Sequence, residues 1–440
     1  MKMVLRLADK IKYVVIFFAS FVFDMIFLVN SGSIPSLYPA SYTVALFDYS
    51  FGFCARFLPG QIYRWVSGGN YAFSAVQTFY RILTLIAFLL ISIILSEFVK
   101  SASKENRKWY ILISLFYALG PVTFSVFSYG LGSIDVYWVI LFPIILLMLK
   151  NKVAKFFIPL LVIPMVLVHF TVMICYMILV FFVLLYILSI QKDKKGRIVY
   201  ASLFAVCFII SVSLSVYFVL FESSNVKYTA EEAAKIIMER SQIGDHTDLL
   251  YFNFDIFKVV TIDNFSFFEG LKFPFYSLKE DILIPPDSSV PSFIAKAVNA
   301  VWPNFHFHMT YYMSKGRLPD ELVGLVMLLL FSTPLLSAIF GYWRHRIRIA
   351  KEENNKFQAL LCRLMIIYIP VVLIFWFVFS VDYFRYINHT FIIEGACMLF
   401  VMYLNREDTE KWLKERFKKY SKEVFVIYSV IYFSTGCLVT

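Results

Sequence analysis

Residues 156–190 form a run of 35 without one Asp, Glu, Lys or Arg. A single straight helix of that length would reach about 52 Å at 1.5 Å per residue, far beyond a bilayer core of about 30 Å. Basic residues flank both ends, Lys152 and Lys155 before the run and Lys192 to Arg197 after it. Both ends therefore favour the same side of a membrane, and the run is expected to fold back near His169 as a hairpin of two short helices. Comparable apolar runs lie near 13–30, 76–98, 109–128, 136–150, 199–221, 322–342, 358–380, 390–404 and 424–440. With the hairpin counted as 156–168 and 171–190, they predict an all-α polytopic integral membrane protein. It has about 11 transmembrane helices in a single membrane domain over 1–440.

Composition narrows the class. Hydrophobic residues make up 60% of the 440 and charged residues 16%, against about 45–50% and about 25% in an ordinary soluble domain. A soluble enzyme of several domains and a disordered scaffold are excluded. The net charge of +11 invites a nucleic-acid reading, but its distribution argues otherwise. With the N-terminus inside, the cytoplasmic segments hold 27 Lys and Arg against 11 acids, and the outer segments 12 against 17. Short cytoplasmic connections are basic and short outer ones nearly free of Lys and Arg, which is a topology signal. No nucleic-acid partner is expected. The basic stretches 343–357 and 405–423 read as inside anchors on anionic lipid.

The start, Met1 to Lys12, precedes an apolar run with no small-residue cleavage site and reads as the flank of a first membrane helix. The C-terminus then falls on the outer side. Six cysteines, with no CxxC pair and four inside apolar runs, read as small buried hydrophobes. They give neither a disulfide framework nor a zinc site.

Two outer segments exceed a turn by far. Loop one, 31–75, is too apolar for a solvated linker and too rich in Gly and Pro for a span, so an amphipathic helix pair along the interface fits it best. The large loop, 221–321, opens on a capping box of Thr229 and Glu232 before the amphipathic AAKIIMERSQI. A third outer segment, VDYFRYINH at 381–389, is short. The outer face thus collects Asp48, Arg56 and Arg64 from loop one, Asp135, His169 from the hairpin tip, and Asp382, Arg385 and His389. Singly, such a residue is most often a snorkelling anchor or local ion pair. As a group in a charge-poor region they suggest a site. Asp24 and Arg81, in the first two spans, are expected to pair with each other.

Arginine forks match phosphate oxygens and keep their charge on burial, while a nearby carboxylate can take a proton from an attacking hydroxyl. The combination suits group transfer from a lipid phosphate or pyrophosphate to an alcohol. Tyr49, Trp65 and Tyr383 offer flat faces beside these groups for stacking on sugar rings. The alternating His306 and His308 lack a nearby carboxylate or third His, so no metal and no cofactor is expected.

The elements DYSFGFCARFLPG, VHF at 168–170, the loop 221–321 and DYFRYINH together resemble the bacterial membrane enzymes of surface-polysaccharide assembly, the Wzy-type repeat-unit polymerases and, more broadly, GT-C glycosyltransferases. The resemblance covers the whole chain in topology. It implies a GT-C-like fold in the bacterial inner membrane and a polymerase of undecaprenyl-pyrophosphate-linked repeat units. Arg56 and Arg385, with Arg64, would hold pyrophosphate, and Asp48 would act as base. Asp382 remains open as an alternative base, and His169 as a further catalytic candidate. The implied partners are membrane lipid, a polyprenyl-(pyro)phosphate-linked glycan and a chain-length regulator protein. The paired acidic motif common in GT-C loops is absent, since Asp48 is followed by Tyr49. A single-sugar GT-C transferase and, from a different class, a lipid-linked glycan flippase are the alternatives.

Overall fold

A computed structural model describes residues 11–22, 37, 39–55, 57–118, 135–168, 170–225, 227–228, 230–242, 318–379 and 383–417. Those residues are helical almost throughout. In chain order the helices are α1 (Ile11–Val22), α2 (Pro39–Leu46), α3 (Leu58–Ser67), α4 (Phe73–Ser101), α5 (Arg107–Ala118) and α6 (Val136–Leu149). A 3-10 turn at Ala154–Phe157 leads into α7 (Ile158–Val168), followed by α8 (Phe170–Ile190), α9 (Lys194–Asn225) and α10 (Ala230–Arg240). The series ends with α11 (Leu318–Glu352), α12 (Lys356–Phe379), α13 (Tyr383–Leu404) and α14 (Arg406–Phe417).

Among the described residues four helical segments are long and apolar enough to cross a membrane: Phe73–Ser101, Lys194–Phe218, Lys356–Ile374 and Ile387–Leu404. The chain is a multi-pass integral membrane protein. Against an expected count of about eleven transmembrane helices, the described residues hold these four, and the GT-C-like architecture built on that count is overturned. The reason is helix length. Val136–Leu149 has 14 residues, or about 21 Å of helix, and Ala154–Val168 is likewise a shorter apolar helix. At these two places the apolar run is itself short, and the α-helix inside it is shorter still. The run at 424–440 lies outside the described residues.

The expected fold-back has a geometric signature in the helices before and after residue 169. Phe181 of α8 meets Phe204 and Phe208 of α9, each at 5.6 Å between ring centroids, as expected of antiparallel neighbours joined by a short turn. Just before α7, the Lys155 ammonium stands 4.8 Å from the centre of the Tyr200 ring near the start of α9. The beginning of α7 and the end of α8 therefore lie at the same end of the bundle, and α7 and α8 run in opposite directions. His169 itself is outside the described residues.

At the core sits α13, whose residues 387–402 are all buried. A helix covered on every side belongs to the centre of a bundle, and α4, α6, α8, α11 and α12 all pack on it. At Gly395 the ring of Tyr117 lies where a Cβ would stand, and the Tyr117 hydroxyl donates to the Ile392 carbonyl at 2.6 Å. The missing side chain lets α5 close on the α13 backbone.

One end of the bundle carries a polar layer. Arg346, 1% exposed, donates through Nε to the Tyr186 hydroxyl at 3.0 Å and through Nη1 to Asp408 at 2.7 Å. Gln358 and Asn405 also donate to that hydroxyl, at 3.0 and 2.9 Å. Nearby, Lys150 bridges to Glu97 at 2.5 Å and lies over the Tyr403 ring. The turn after α4 is fastened to α14 by Glu410, which accepts from the Ser103 amide and from Asn106. These contacts join the ends of α4, α6, α8, α11 and α13 to the starts of α12 and α14. The opposite end holds α2, α3, α10 and the candidate site.

Candidate functional site

The site begins with Asp48, which is fully buried just after α2. The chain turns sharply there: the Ser50 amide donates to Asp48 Oδ1 at 2.7 Å, a local carboxylate-to-backbone closure typical of Asp in turns. The next amide along, that of Tyr49, donates to Gln61 of α3 at 3.2 Å. Helix α3 comes close because residue 60 is glycine. A Cβ there would run into the carbonyls of Phe47 and Val44.

Two guanidiniums then converge on Asp48 Oδ2. Arg64 Nη1, from α3, donates at 2.9 Å, and Arg240 Nη1, from the last turn of α10, at 3.1 Å. Arg240 is the more embedded. It also donates to the Leu46 carbonyl at 3.0 Å and to Ser50 Oγ at 2.9 Å, and lies 4.7 Å from the centre of the Phe51 ring. Helix α10 is held by Ala233 and Ile237, both buried. The backbone before it is tied by the Lys227 amide on the Phe51 carbonyl at 2.9 Å. Beyond its end, the Gln242 amide donates to the Tyr42 hydroxyl at 3.3 Å.

Burial works to raise the Asp48 carboxyl, but the Ser50 contacts and the Arg240 and Arg64 guanidiniums outweigh it and hold the group below the usual carboxylate range. Asp48 is thus a fixed anion flanked by two cations, and the trio carries a net positive charge. A carboxylate so engaged is a weakened proton acceptor; its evident work is to fix the two guanidiniums. Burial likewise pushes the Tyr42 hydroxyl up to about 12.

Exposure divides the trio. Side-chain exposure is 47% for Arg64 and 23% for Arg240. Beside Arg64, Trp65 and Val66 are 71% and 69% exposed, whereas Leu58, Gln61 and Tyr63 of the same helix are buried. Helix α3 therefore presents an apolar ridge next to a half-exposed cation. The other helix of loop one differs: Tyr42, Thr43, Ala45 and Leu46 of α2 are buried, so α2 packs inside the fold.

Of the residues singled out from sequence, the structure brings together Asp48 and Arg64. Tyr49 is half-buried against Phe53, and Trp65 is exposed. Tyr383 and Arg385 occupy the first turn of α13. Arg56, His169, Asp382, Thr229, His306, His308 and Asp24 lie outside the described residues. Asp135 and His389 are buried, and Arg81 is on an exposed face of α4. Among the described residues no group of three or more His, Cys, Asp or Glu is placed to hold a metal ion. Arg240 is the side chain of the cluster that sequence reading missed. Its signal is modest: a lone Arg closing an amphipathic helix whose opposite face is apolar.

No protein-family model matches the chain, and no characterised protein or solved structure matches it either. With four crossing helices among the described residues, the resemblance to Wzy-type polymerases and GT-C glycosyltransferases is overturned. The functional readings built on it, repeat-unit polymerisation first among them, are withdrawn with it.

Proposed function

We propose that this membrane protein binds the anionic headgroup of a phosphate-bearing membrane lipid at the Asp48–Arg64–Arg240 cluster. The observation that carries the reading is Arg64. Its one hydrogen bond to Asp48 runs through Nη1, and its guanidinium has five N–H groups on a side chain that is nearly half exposed. Asp48 fixes the fork without neutralising the pair of arginines, and the Trp65–Val66 ridge beside it suits the acyl boundary of a bilayer. The basic-inside pattern favours a cytoplasmic N-terminus and an outer-face position for the cluster.

The test uses the full chain in nanodiscs containing phosphatidic acid, or diacylglycerol as the uncharged control, with retained lipid counted by native mass spectrometry. Phosphatidic acid is expected to be retained over diacylglycerol. Arg64→Ala should weaken retention about tenfold, the equivalent of about 1.4 kcal/mol and near the lower range of a charge-assisted hydrogen bond. Arg64→Lys should recover only part of it, because a point charge replaces a fork. Equal retention of both lipids, or no change in Arg64→Ala, would remove the site.

A further inference from the structure

Glu394 stands at the centre of the bundle, in the most enclosed stretch of α13, and is fully buried. Neither carboxyl oxygen has a hydrogen-bond partner among the described residues. The indole N–H of Trp343, on α11, is close enough to interact with the carboxyl, yet it too is buried without a partner in hydrogen-bond geometry. Tyr368 of α12 and Cys397 of α13 itself lie close enough to interact with the carboxyl electrostatically. The Tyr368 hydroxyl is already committed, donating to the Cys175 carbonyl of α8 at 2.9 Å. On the α5 side the Tyr117 ring covers Gly395.

On the neighbouring helices Arg81, Arg344 and Arg363 lie on exposed faces, and the buried charges are committed elsewhere. Arg346 lies one turn beyond Trp343 on α11 and is held by Tyr186 and Asp408. From α4 and α6, Glu97 and Lys150 pair with each other beside Tyr403, about 13 Å of helix from Glu394 along α13. A carboxylate with no cation and no donor in a low-dielectric interior is too costly to persist. An ionisable side chain kept in such a place is a functional candidate with a nameable partner.

We propose that Glu394 is a proton-binding site within the membrane interior, occupied by an exchangeable proton in this packed state, with Trp343 as the donor that would receive the anion when the proton leaves. The reaction is simple: the carboxyl O–H gives its proton to water entering the seam between α11 and α13, and the resulting carboxylate takes the Trp343 N–H. This site is separate from the lipid-phosphate cluster and does not depend on it.

Infrared spectroscopy of the full chain in nanodiscs tests the proposal, comparing wild type with Glu394→Gln in H2O and in D2O. The expected result is a protonated-carboxyl stretch at neutral pH that is missing in Glu394→Gln and shifts in D2O. A wild type without that band places an ionised carboxylate at residue 394 and overturns the proposal. A band present but unmoved in D2O after prolonged exchange also overturns it, leaving a sealed structural acid. Should Glu394→Gln fail to fold, a hydrophobic carbodiimide on wild-type protein decides instead, since it reacts with protonated carboxyls in apolar surroundings. An adduct mapped to Glu394 supports the site, and an unmodified Glu394 overturns it.

Discussion

Arg240 and Asp48 are 192 residues apart in sequence and joined at 3.1 Å, so the helix Ala230–Arg240 is locked onto the turn after α2 by one embedded guanidinium. Because Asp48 is fully buried, removing a cation from it leaves a charge short of partners. Arg240→Ala is expected to cost about 1–3 kcal/mol, the scale of a buried polar group deprived of its hydrogen bond. Arg64→Ala, whose lost contact is half exposed, should cost less than about 1 kcal/mol. Denaturant unfolding in detergent, followed by helical circular dichroism, separates the two. Equal losses would contradict the division of labour between holding the fold and facing a ligand.

The same carboxylate predicts an acid-sensitive joint. Its proton affinity is depressed in the folded protein by Ser50, Arg240 and Arg64 acting against burial. A group of this kind stabilises the fold above its unfolded value of about 3.9, and the contribution disappears as pH falls through the lower folded value. Proteolysis at the α10 segment should therefore accelerate below about pH 4. In Asp48→Asn that segment should already be cleaved readily at pH 7, with little further change on acidification. A wild-type protein equally resistant at pH 3 and pH 7 would show that the joint does not rest on Asp48.

How far the sequence could go is visible in this one cluster. Asp48 and Arg64 stand out because both lie within loop one, where charges are few and sequence distance is short. Arg240 did not stand out, since nothing local in AAKIIMERSQI specifies a partner almost two hundred residues earlier. The fold-back near His169 was legible from two like-charged flanks around a run too long to cross once. The span count was not. The runs 136–150 and 156–168 read as spans although each is short for one, and the helices in them, Val136–Leu149 and Ile158–Val168, have only 14 and 11 residues. The interfacial placing expected for α2 also differs from the structure, where its Tyr42, Thr43, Ala45 and Leu46 are buried; the mixture of Pro, Ser, Tyr and Thr in its sequence resembles a surface segment.

Gly60 sets the geometry that brings Arg64 to Asp48. Gly60→Ala would drive a methyl group into the Phe47 and Val44 carbonyls, and neither backbone group can swing away as a side chain would. Forcing an extra carbon into a packed site costs about 1–3 kcal/mol. Beyond that loss, α3 should shift and lengthen the Arg64–Asp48 contact. Retention of phosphatidic acid should then fall in Gly60→Ala, whereas alanine at the exposed Val66 of the same helix should leave folding stability within about 0.5 kcal/mol. Comparing lipid retention and unfolding in the two variants checks both parts.

The opposite end of the bundle offers a sharper comparison, because Arg346 reaches two partners with different nitrogens. Nε donates to Tyr186 and Nη1 to Asp408, and Tyr186 also receives Gln358 and Asn405. The guanidinium thus ties α11 to α8 and α14 at once. Lysine would keep the charge, but its single ammonium lacks the planar fork that serves both sites. Arg346→Lys is expected to cost about 1–3 kcal/mol through the hydrogen bond it forfeits. Arg346→Ala should approach about 3–5 kcal/mol, since it leaves Asp408 without its cation and removes one of the three donors to the buried Tyr186 hydroxyl. Asp408→Asn should fall between wild type and Arg346→Ala, because Arg346 would retain Tyr186. Thermal unfolding of the four proteins at one pH gives the order directly. Were Arg346→Lys indistinguishable from wild type, charge alone would be holding this end together and the fork geometry would be incidental.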